Sequence, residues 1–415
     1  MRLWLINPYG PIPGEGWRDY RFTILGTTLA GRGHDVVWWT ANFSHHFKRY
    51  RSSGWKDIPI TPGFHIRLVP TSEYKHNIGL ARLRFEALFC TRTYARARND
   101  TRPDFVIGID PPQFVGLTSV ALARHHDAPL ILDVFDLWPE LFVLALPRVL
   151  RRAAPTLLSP LYRLRRHNFA RADALVALCD TYIEVARRNA PNIPNGRTLT
   201  VFNGIDVARF RSSMGSGAEV SRLAAQLGKR PGDTWAIYAG SFGPNYDIIT
   251  LLDAAELLAQ RGSKIRIVVA GAGPLQAKVE AFSAKRLATF VYLGNLSHTE
   301  LIRTYQVCDI GICAYGKLSN VAMPDKIYDY LAAGLPVVNS LRGELEHLLR
   351  EHRLGYQYQA GDPSSLATVL ESIAAGNDAR HQMAEHSARI AMEFDTAQQY
   401  GRYVDLVERV RTQLT

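Results

Sequence analysis

PDKIYDYLAAGLPVVNS, residues 324–340, reads as a short helix followed by a buried strand. Pro324 suits the first helical turn, where its missing N–H would go unpaired in any case. Leu331, Ala332 and Ala333 suit a tightly packed helix, and Gly334 is placed as its C-terminal stop. Leu335 to Val338 then reads as a strand of a parallel sheet. Asp325, Lys326 and Asp329 crowd the first two turns of the helix. A polar cluster at the positive end of a helix dipole is a place where a phosphorylated ligand binds. The same residues also suit an ordinary surface helix of mixed charge, so the meaning of the stretch depends on the chain around it.

Outward from this stretch, strands alternate with helices. Strands are expected near 235–239, 264–270, 289–294, 309–313 and 335–339, with helices over 247–261, 274–286, 297–307 and 324–333. An earlier set has strands near 2–7, 34–40, 64–70, 104–109, 129–134 and 174–178. The polar interval 211–233, with Gly and Ser at its start, marks a domain boundary. The tail after Asp395 is a separate helix. Such alternation implies parallel sheets with right-handed crossovers, that is, two doubly wound α/β domains facing a cleft. Ligands of such sheets bind at the carboxyl ends of the strands.

Composition agrees with a soluble globular chain of about two domains: 415 residues, 47% hydrophobic and 21% charged. No apolar run reaches the roughly 18 to 20 residues that span a bilayer. The start, MRLWLINPYG, reads as a first buried strand and not as a signal peptide. Cys90, Cys179, Cys308 and Cys313 have no metal-ligand spacing and read as reduced core thiols of a cytosolic protein. The net charge of +11 is uneven. Residues 1–206 hold 27 Lys and Arg against 17 Asp and Glu, a net of +10, whereas the remainder holds 22 against 21. Basic and apolar residues interleave over 81–98 and 146–171. That pattern fits an anionic membrane surface or a phosphate-bearing partner, or simply a solvated face. There is no recognisable nucleic-acid module, so no nucleic-acid partner is expected.

Several loops fall where strands should end. In NPYGPIPGEGWRDYR (7–21), Gly10, Gly14 and Gly16 allow close backbone approach to a ligand, and Arg18 and Arg21 supply charge; a plain flexible turn is the alternative. DVFDLWPE (133–140) sets Asp136 and Glu140 around a Trp-Pro pair. AGSFGPNYD (239–247) is a strand-to-helix turn with Asn245 as its expected cap. GAGPL (271–275) is only a fragment of a dinucleotide fingerprint, because the third glycine is missing.

Taken in order, VFNGID (201–206) with Phe210, YAGSFG (238–243), VVAGAGP (268–274), VYLGNLSHTEL (291–301), CDIGICAY (308–315) and PDKIYDYLAAGLPVV (324–338) resemble glycosyltransferase family 4. These are retaining, sugar-nucleotide-dependent transferases of the GT-B fold, two Rossmann-like domains facing a cleft. DLWPE (136–140) and the PDK motif resemble the bacterial branch that builds O-antigen, capsule or exopolysaccharide, including N-acetyl-L-fucosamine transferases. The resemblance implies an acceptor-binding domain over 1–205, a nucleotide-sugar domain over 206–394, and a final helix, 395–415, returning to the first domain. It places Asp329 on the ribose hydroxyls, Gly240 and Ser241 by the diphosphate, Gly294 and Asn295 near the base, and the loop of Gly14, Gly16 and Arg18 against donor phosphate and sugar. Asp136 and Glu140 would orient the donor sugar or the acceptor hydroxyl.

The departures from the family pattern are specific. The first of two family glutamates falls on Val321. A basic pair that neutralises the diphosphate falls on Ser241 and Asp247. A histidine of the acid loop is Phe135. Lys326 is the expected substitute cation, supported by Lys317, Arg18 and the helix N-terminus, because a departing diphosphate needs positive charge as its own charge develops. No metal is expected, since there is no Asp-X-Asp motif, and no cofactor beyond the donor. The donor implied by the branch is a UDP-sugar carrying an N-acetylated hexosamine. The implied acceptor is a polyprenyl-diphosphate-linked saccharide, met by a peripheral protein at the cytoplasmic face of the membrane. A sugar-nucleotide 2-epimerase and a catalytically degenerate partner subunit are the alternatives.

Overall fold

The stretch 324–340 folds as a helix, Lys326–Ala332, and a strand, Val337–Asn339. Pro324 precedes the helix and does not lie inside it, and Asp325 is the N-cap residue. Gly334, at φ 69°, ends the helix: its N–H donates to the Leu331 carbonyl (3.0 Å) and Leu335 N–H to Tyr330 (2.9 Å). A left-handed glycine with this pair of bonds satisfies carbonyls that a helix end leaves open.

The computed structural model describes residues 1–16, 18–77 and 79–414. Trp17 of the glycine loop, Ile78, Thr415 at the end of the expected last helix, and the side chains of Leu144, Ala145 and Arg148 lie outside the described residues. The chain forms two units, one of 1–203 with 397–415 and one of 204–396. The polar interval 211–233 lies within the second unit and does not separate the two. Ser216 and Glu219 form a reciprocal capping box there and start the helix Gly217–Gln226, a local satisfaction of helix-end donors by polar side chains.

Unit 1 carries β1 (Arg2–Ile6), β2 (Asp35–Ala41), β3 (Lys56–Thr61), β4 (Phe64–Val69), β5 (Phe105–Ile109), β6 (Leu130–Val134), β7 (Ala174–Ala177) and β8 (Thr198–Thr200). Their order is β3-β4-β2-β1-β5-β6-β7-β8, parallel except for β3. β3 was not expected. It is a half-exposed edge strand containing Pro59, a residue that gives no strand signal because it cannot donate to a ladder. The final helix, Thr396–Leu414, buries Tyr400, Tyr403, Val404 and Val407. It is pinned through Tyr403, whose hydroxyl donates to Asp133 (3.2 Å) at the end of β6. Asp133 in turn holds the fully buried Arg21 at 2.8 and 3.0 Å.

Unit 2 carries β9 (Thr234–Ala239), β10 (Ile265–Ala270), β11 (Phe290–Tyr292), β12 (Ile310–Cys313), β13 (Val337–Asn339) and β14 (Gly355–Gln357). All are parallel, in the order β11-β10-β9-β12-β13-β14. Counted within the unit this is the doubly wound order 3-2-1-4-5-6, whose switch point lies between the first and fourth strands. Both faces are covered, with Ile267 and Ile312 packed in one core with Leu251, Leu258, Leu366 and Leu370. That burial explains the run of buried, non-polar residues over 267–270 of β10, after the half-buried Arg266, and through β12.

Candidate functional site

At the switch point of unit 2, β9 and β12 pair over only two positions, Ile310 with Ala236 and Gly311 with Ile237, and then part. The Tyr330 hydroxyl fills the opening. It shares its O–H between the carbonyls of Ile237 (3.2 Å) and Ile312 (3.1 Å) and accepts from Ala239 N–H (3.2 Å). Gly311 is required beneath it, since a Cβ there would stand 2.5 Å from the ring. Tyr330 thus anchors the helix Lys326–Ala332, and Lys326, four residues earlier on the same helical face, is carried to the end of β9.

The Lys326 ammonium is buried and has no hydrogen-bond partner among the described residues. It stands over three tyrosine rings, Tyr238 at 3.9 Å, Tyr246 at 4.9 Å and Tyr315 at 5.0 Å. Burial lowers its pKa to about 8. Tyr246 and Tyr315 are brought together because the loop after β9 pairs with the loop after β12, Gly316 N–H donating to Asn245 (2.9 Å) and Asp247 N–H to Ala314 (3.3 Å). Asn245 acts here through its backbone; Asp247, and not Asn245, precedes the helix Ile248–Gln260. The Asp247 carboxylate accepts from Thr250 (2.7 Å) and from Gly361 N–H (2.7 Å), so it fastens a neighbouring loop.

Glycines make room around the ammonium. Gly240 has φ 148°, and a Cβ on it would lie 3.1 Å from Lys326 Nζ. A Cβ on Gly271 would lie 1.9 Å from the Gly240 carbonyl oxygen. Gly271 N–H donates to Gly294 (2.8 Å), so Gly240, Gly271 and Gly294 line up across the carboxyl ends of β9, β10 and β11. The Gly240 amide is committed to Ala270 (3.0 Å) and the Phe242 amide to Ala272 (2.9 Å). What Gly240 offers a ligand is therefore the absence of a side chain, not a free N–H. Ser241 is exposed, its carbonyl held by the Tyr238 hydroxyl (2.7 Å). Asn295 is exposed, and Asp329 is buried in the first turn of the helix that carries Lys326. That helix is only seven residues long, so the positive charge here comes from Lys326 and not from a helix terminus.

In unit 1 the expected residues separate. Gly14 and Gly16 take φ 86° and 81° with open space around them. Their loop is tied down by Glu15, which pairs with Arg51 at 2.8 Å and accepts from Ile12 N–H at 2.9 Å. Arg18 is half-buried. Arg21 supplies no charge to the loop, because it is spent on Asp133. Glu140 is gripped in bidentate fashion by the buried Arg165 at 2.7 and 2.9 Å. Arg165 (2.9 Å) and Gln113 (2.9 Å) both donate to the Trp138 carbonyl. Asp136 accepts from Leu137 N–H (2.8 Å), and burial pushes its carboxyl above the ordinary aspartate range. Of the two carboxylates, Glu140 is the anchor of the loop and Asp136 the one with no salt-bridge partner among the described residues.

Tyr330, Arg165 and the tyrosines around Lys326 were not singled out from sequence. Tyr238 and Tyr315 stand in quoted motifs, and Tyr330 lies one helical turn after Lys326, so strand ends and helical spacing carried a signal. Among the described residues no cluster of three His, Cys, Asp or Glu could hold a metal ion, and no helix is long and apolar enough to cross a membrane.

Known proteins match along the same division. Residues 21–204 match the glycosyl transferase 4-like domain and residues 220–389 the glycosyl transferases group 1 family. The amylovoran biosynthesis glycosyltransferase AmsK of Erwinia amylovora is 25% identical over 38% of this chain and 40% of its own length. The chitobiosyldiphosphodolichol beta-mannosyltransferase of Kluyveromyces lactis is 28% identical over 28% of each. The chain spans about half or less of the length of the curated relatives it matches. Anabaena HepE, solved with UDP-glucose, superposes with a TM-score of 0.67 over 99% of this chain and 100% of its own, at 16% identity, a likeness of fold.

Proposed function

The chain belongs to the GT-B glycosyltransferases, its first domain of the 4-like kind and its second of group 1, and from that premise we propose that it moves a sugar from a UDP-sugar to a lipid-diphosphate-linked saccharide, with retention at the anomeric carbon. The observation that carries this reading is the unpartnered, buried Lys326 ammonium at the switch point of unit 2. A buried cation without a counter-ion is expensive. A nucleoside diphosphate supplies that counter-ion, at the strand ends where doubly wound sheets bind ligands.

The chain's residues take these roles. Lys326 pairs with the diphosphate and stabilises the charge that grows as it departs. Gly240 lets the phosphates approach that ammonium. Asp329 takes the ribose hydroxyls, and Gly294 and Asn295 lie toward the base. Gly14, Gly16 and Arg18 are assigned to donor phosphate and sugar on the family resemblance alone. Asp136 orients the acceptor hydroxyl, while Glu140 holds the loop. The bond from the anomeric carbon to the diphosphate oxygen breaks as the acceptor oxygen bonds the same carbon on the same face. The acceptor proton passes to the leaving phosphate oxygen. Most of the rate then comes from positioning and charge stabilisation. The names of the relatives support this reading: one acts in amylovoran biosynthesis, one on a diphosphodolichol-linked chitobiose, and HepE was solved with UDP-glucose. The sugar itself, an N-acetylated hexosamine, rests on branch resemblance.

The test is a panel of UDP-, GDP- and dTDP-sugars, read by thermal shift and by transfer or hydrolysis, with and without EDTA. A UDP-dependent shift that Lys326→Ala abolishes, with EDTA-insensitive transfer, is expected. An epimerised nucleotide sugar, or no response to any nucleotide, overturns the proposal.

A further inference from the structure

In unit 1 the loops that follow β1, β2, β4 and β6 meet at the start of the helix Leu80–Ala97 and gather aromatic rings and cations there. Tyr9 stacks on Phe85 (centroids 5.9 Å apart) and meets His45 edge-on (5.2 Å); Tyr74 packs against Phe85 (5.0 Å). The Arg82 guanidinium lies over the rings of Tyr9 (5.3 Å) and Trp138 (5.0 Å), and Lys48 Nζ over Tyr74 (4.2 Å). The buried Glu86 accepts from the Tyr9 hydroxyl (2.5 Å) and from Arg82 Nε (3.1 Å).

Among the described residues Glu86 is the one carboxylate paired directly with either of these two cations. Arg82 gives N–H groups to Glu86, to the Asn77 carbonyl (2.7 Å) and to the Tyr9 oxygen (3.3 Å), which leaves two of the five a guanidinium carries. Lys48 gives one to Asn77 Oδ1 (2.7 Å), a neutral partner, and keeps two. Burial and the nearby Arg82 hold the Lys48 ammonium below its usual range, so the two cations sense one another. His45, taken down to about 3 by burial and by the same two cations, stays neutral, with its Nδ1 hydrogen-bonded to the Tyr74 hydroxyl. Arg82 also acts electrostatically on the Asp136 carboxyl.

We propose that Arg82 and Lys48, set on the Tyr9, Tyr74 and His45 rings, bind the diphosphate that links acceptor saccharide to lipid, next to Asp136 and Trp138. The inference rests on the transferase reading above and deepens it. A guanidinium offers a planar fork to phosphate oxygens and an ammonium a point charge. Two close cations short of counter-charge match a group that carries more than one negative charge. The half-buried Tyr9 and His45 rings give a sugar an apolar face to lie on, while the buried Tyr74 ring only supports Lys48.

The experiment compares two acceptors of equal saccharide, a short-chain lipid diphosphate and an uncharged alkyl glycoside, in buffer without vesicles so that no headgroup contributes. Wild-type protein should prefer the diphosphate, and Arg82→Gln and Lys48→Gln should each shrink that preference in kcat/KM at least tenfold. Lys48→Arg, which keeps the charge, should retain most of it. The UDP thermal shift reports separately on unit 2. A wild-type protein that transfers to both acceptors without preference overturns this inference alone. So do variants that lose both acceptors equally, the mark of a structural role. A wild-type protein with neither UDP shift nor transfer overturns the transferase reading itself.

Discussion

Lys326 decides most about the site at the scale of one residue. Holding an ammonium at about 8 instead of 10.5 costs the fold roughly 3 kcal/mol below pH 8. The three tyrosine faces return part of this, about 0.5–2 kcal/mol for a desolvated cation–π contact. The sign is definite. Between pH 8 and 10.5 the unfolded chain binds the proton and the folded chain does not, so the ligand-free protein gains stability as pH rises through that window. Lys326→Met removes the buried charge. It should match or exceed the wild type in denaturant midpoint at pH 7, lose the rise between pH 8 and 10.5, and lose the UDP-induced thermal shift. Binding of UDP to the wild type should weaken up to tenfold per pH unit above about 8, because the lysine must first take up a proton; titration calorimetry across pH 7–10 checks it. A variant that is more stable and yet blind to UDP would separate a binding cation from a structural one.

At the scale of elements, two short segments are set by anchors distant in sequence. The helix Lys326–Ala332 is too short to be stable alone, and Tyr330 fastens it between β9 and β12. The acid loop 136–140 is fastened by Arg165 and Gln113 through the Trp138 carbonyl and the Glu140 carboxylate. The roles of the two carboxylates therefore separate. Asp136→Asn should lower kcat at least a hundredfold with little change in stability. Glu140→Gln leaves the buried Arg165 guanidinium without its counter-ion, although the carboxylate side is 37% exposed, so it should cost about 2–3 kcal/mol in stability and leave more activity than Asp136→Asn. Steady-state kinetics and denaturant melts on both variants check this, and equal kinetic losses would show the assignment to be wrong. The carboxylate pair was legible in DLWPE, but its division of labour was not, because Arg165 lies 25 residues beyond Glu140 on another helix.

At the scale of the whole molecule, the net charge of +10 in residues 1–206 coincides with exposed apolar side chains of unit 1. Leu80 is 84% exposed and Val149 85%, with Leu83, Leu157, Arg84 and Arg152 also exposed. Basic residues with outward leucines suit an anionic bilayer surface. Sedimentation with phosphatidylglycerol vesicles should show binding that falls steeply between about 50 and 300 mM salt, since surface charge is screened over about 10 Å at 0.1 M. Leu80→Asp together with Val149→Asp should weaken it at every salt concentration. Binding unaffected by salt, or equal on neutral vesicles, would rule out the electrostatic account.

The sequence by itself determined the class of fold. Apolar runs alternating with amphipathic helices fix parallel strands, and Gly334 fixes where a helix must stop, because these are properties of neighbouring residues. It also marked Lys326 as a candidate, since the missing basic pair called for a substitute cation and Lys326 stands at the start of a short helix beside the strand ends. Tertiary structure alone decided that Tyr330 seats that helix in the gap between β9 and β12, that Gly240 contributes space and not an amide, and that Glu140 is an anchor while Asp136 is not. Arg21 looked like a loop charge, and only the tertiary structure showed it buried and spent on Asp133 at the end of β6. Each of these depends on which distant atoms fill a hydrogen-bonding position or a volume, and spacing along one segment carries no information about either.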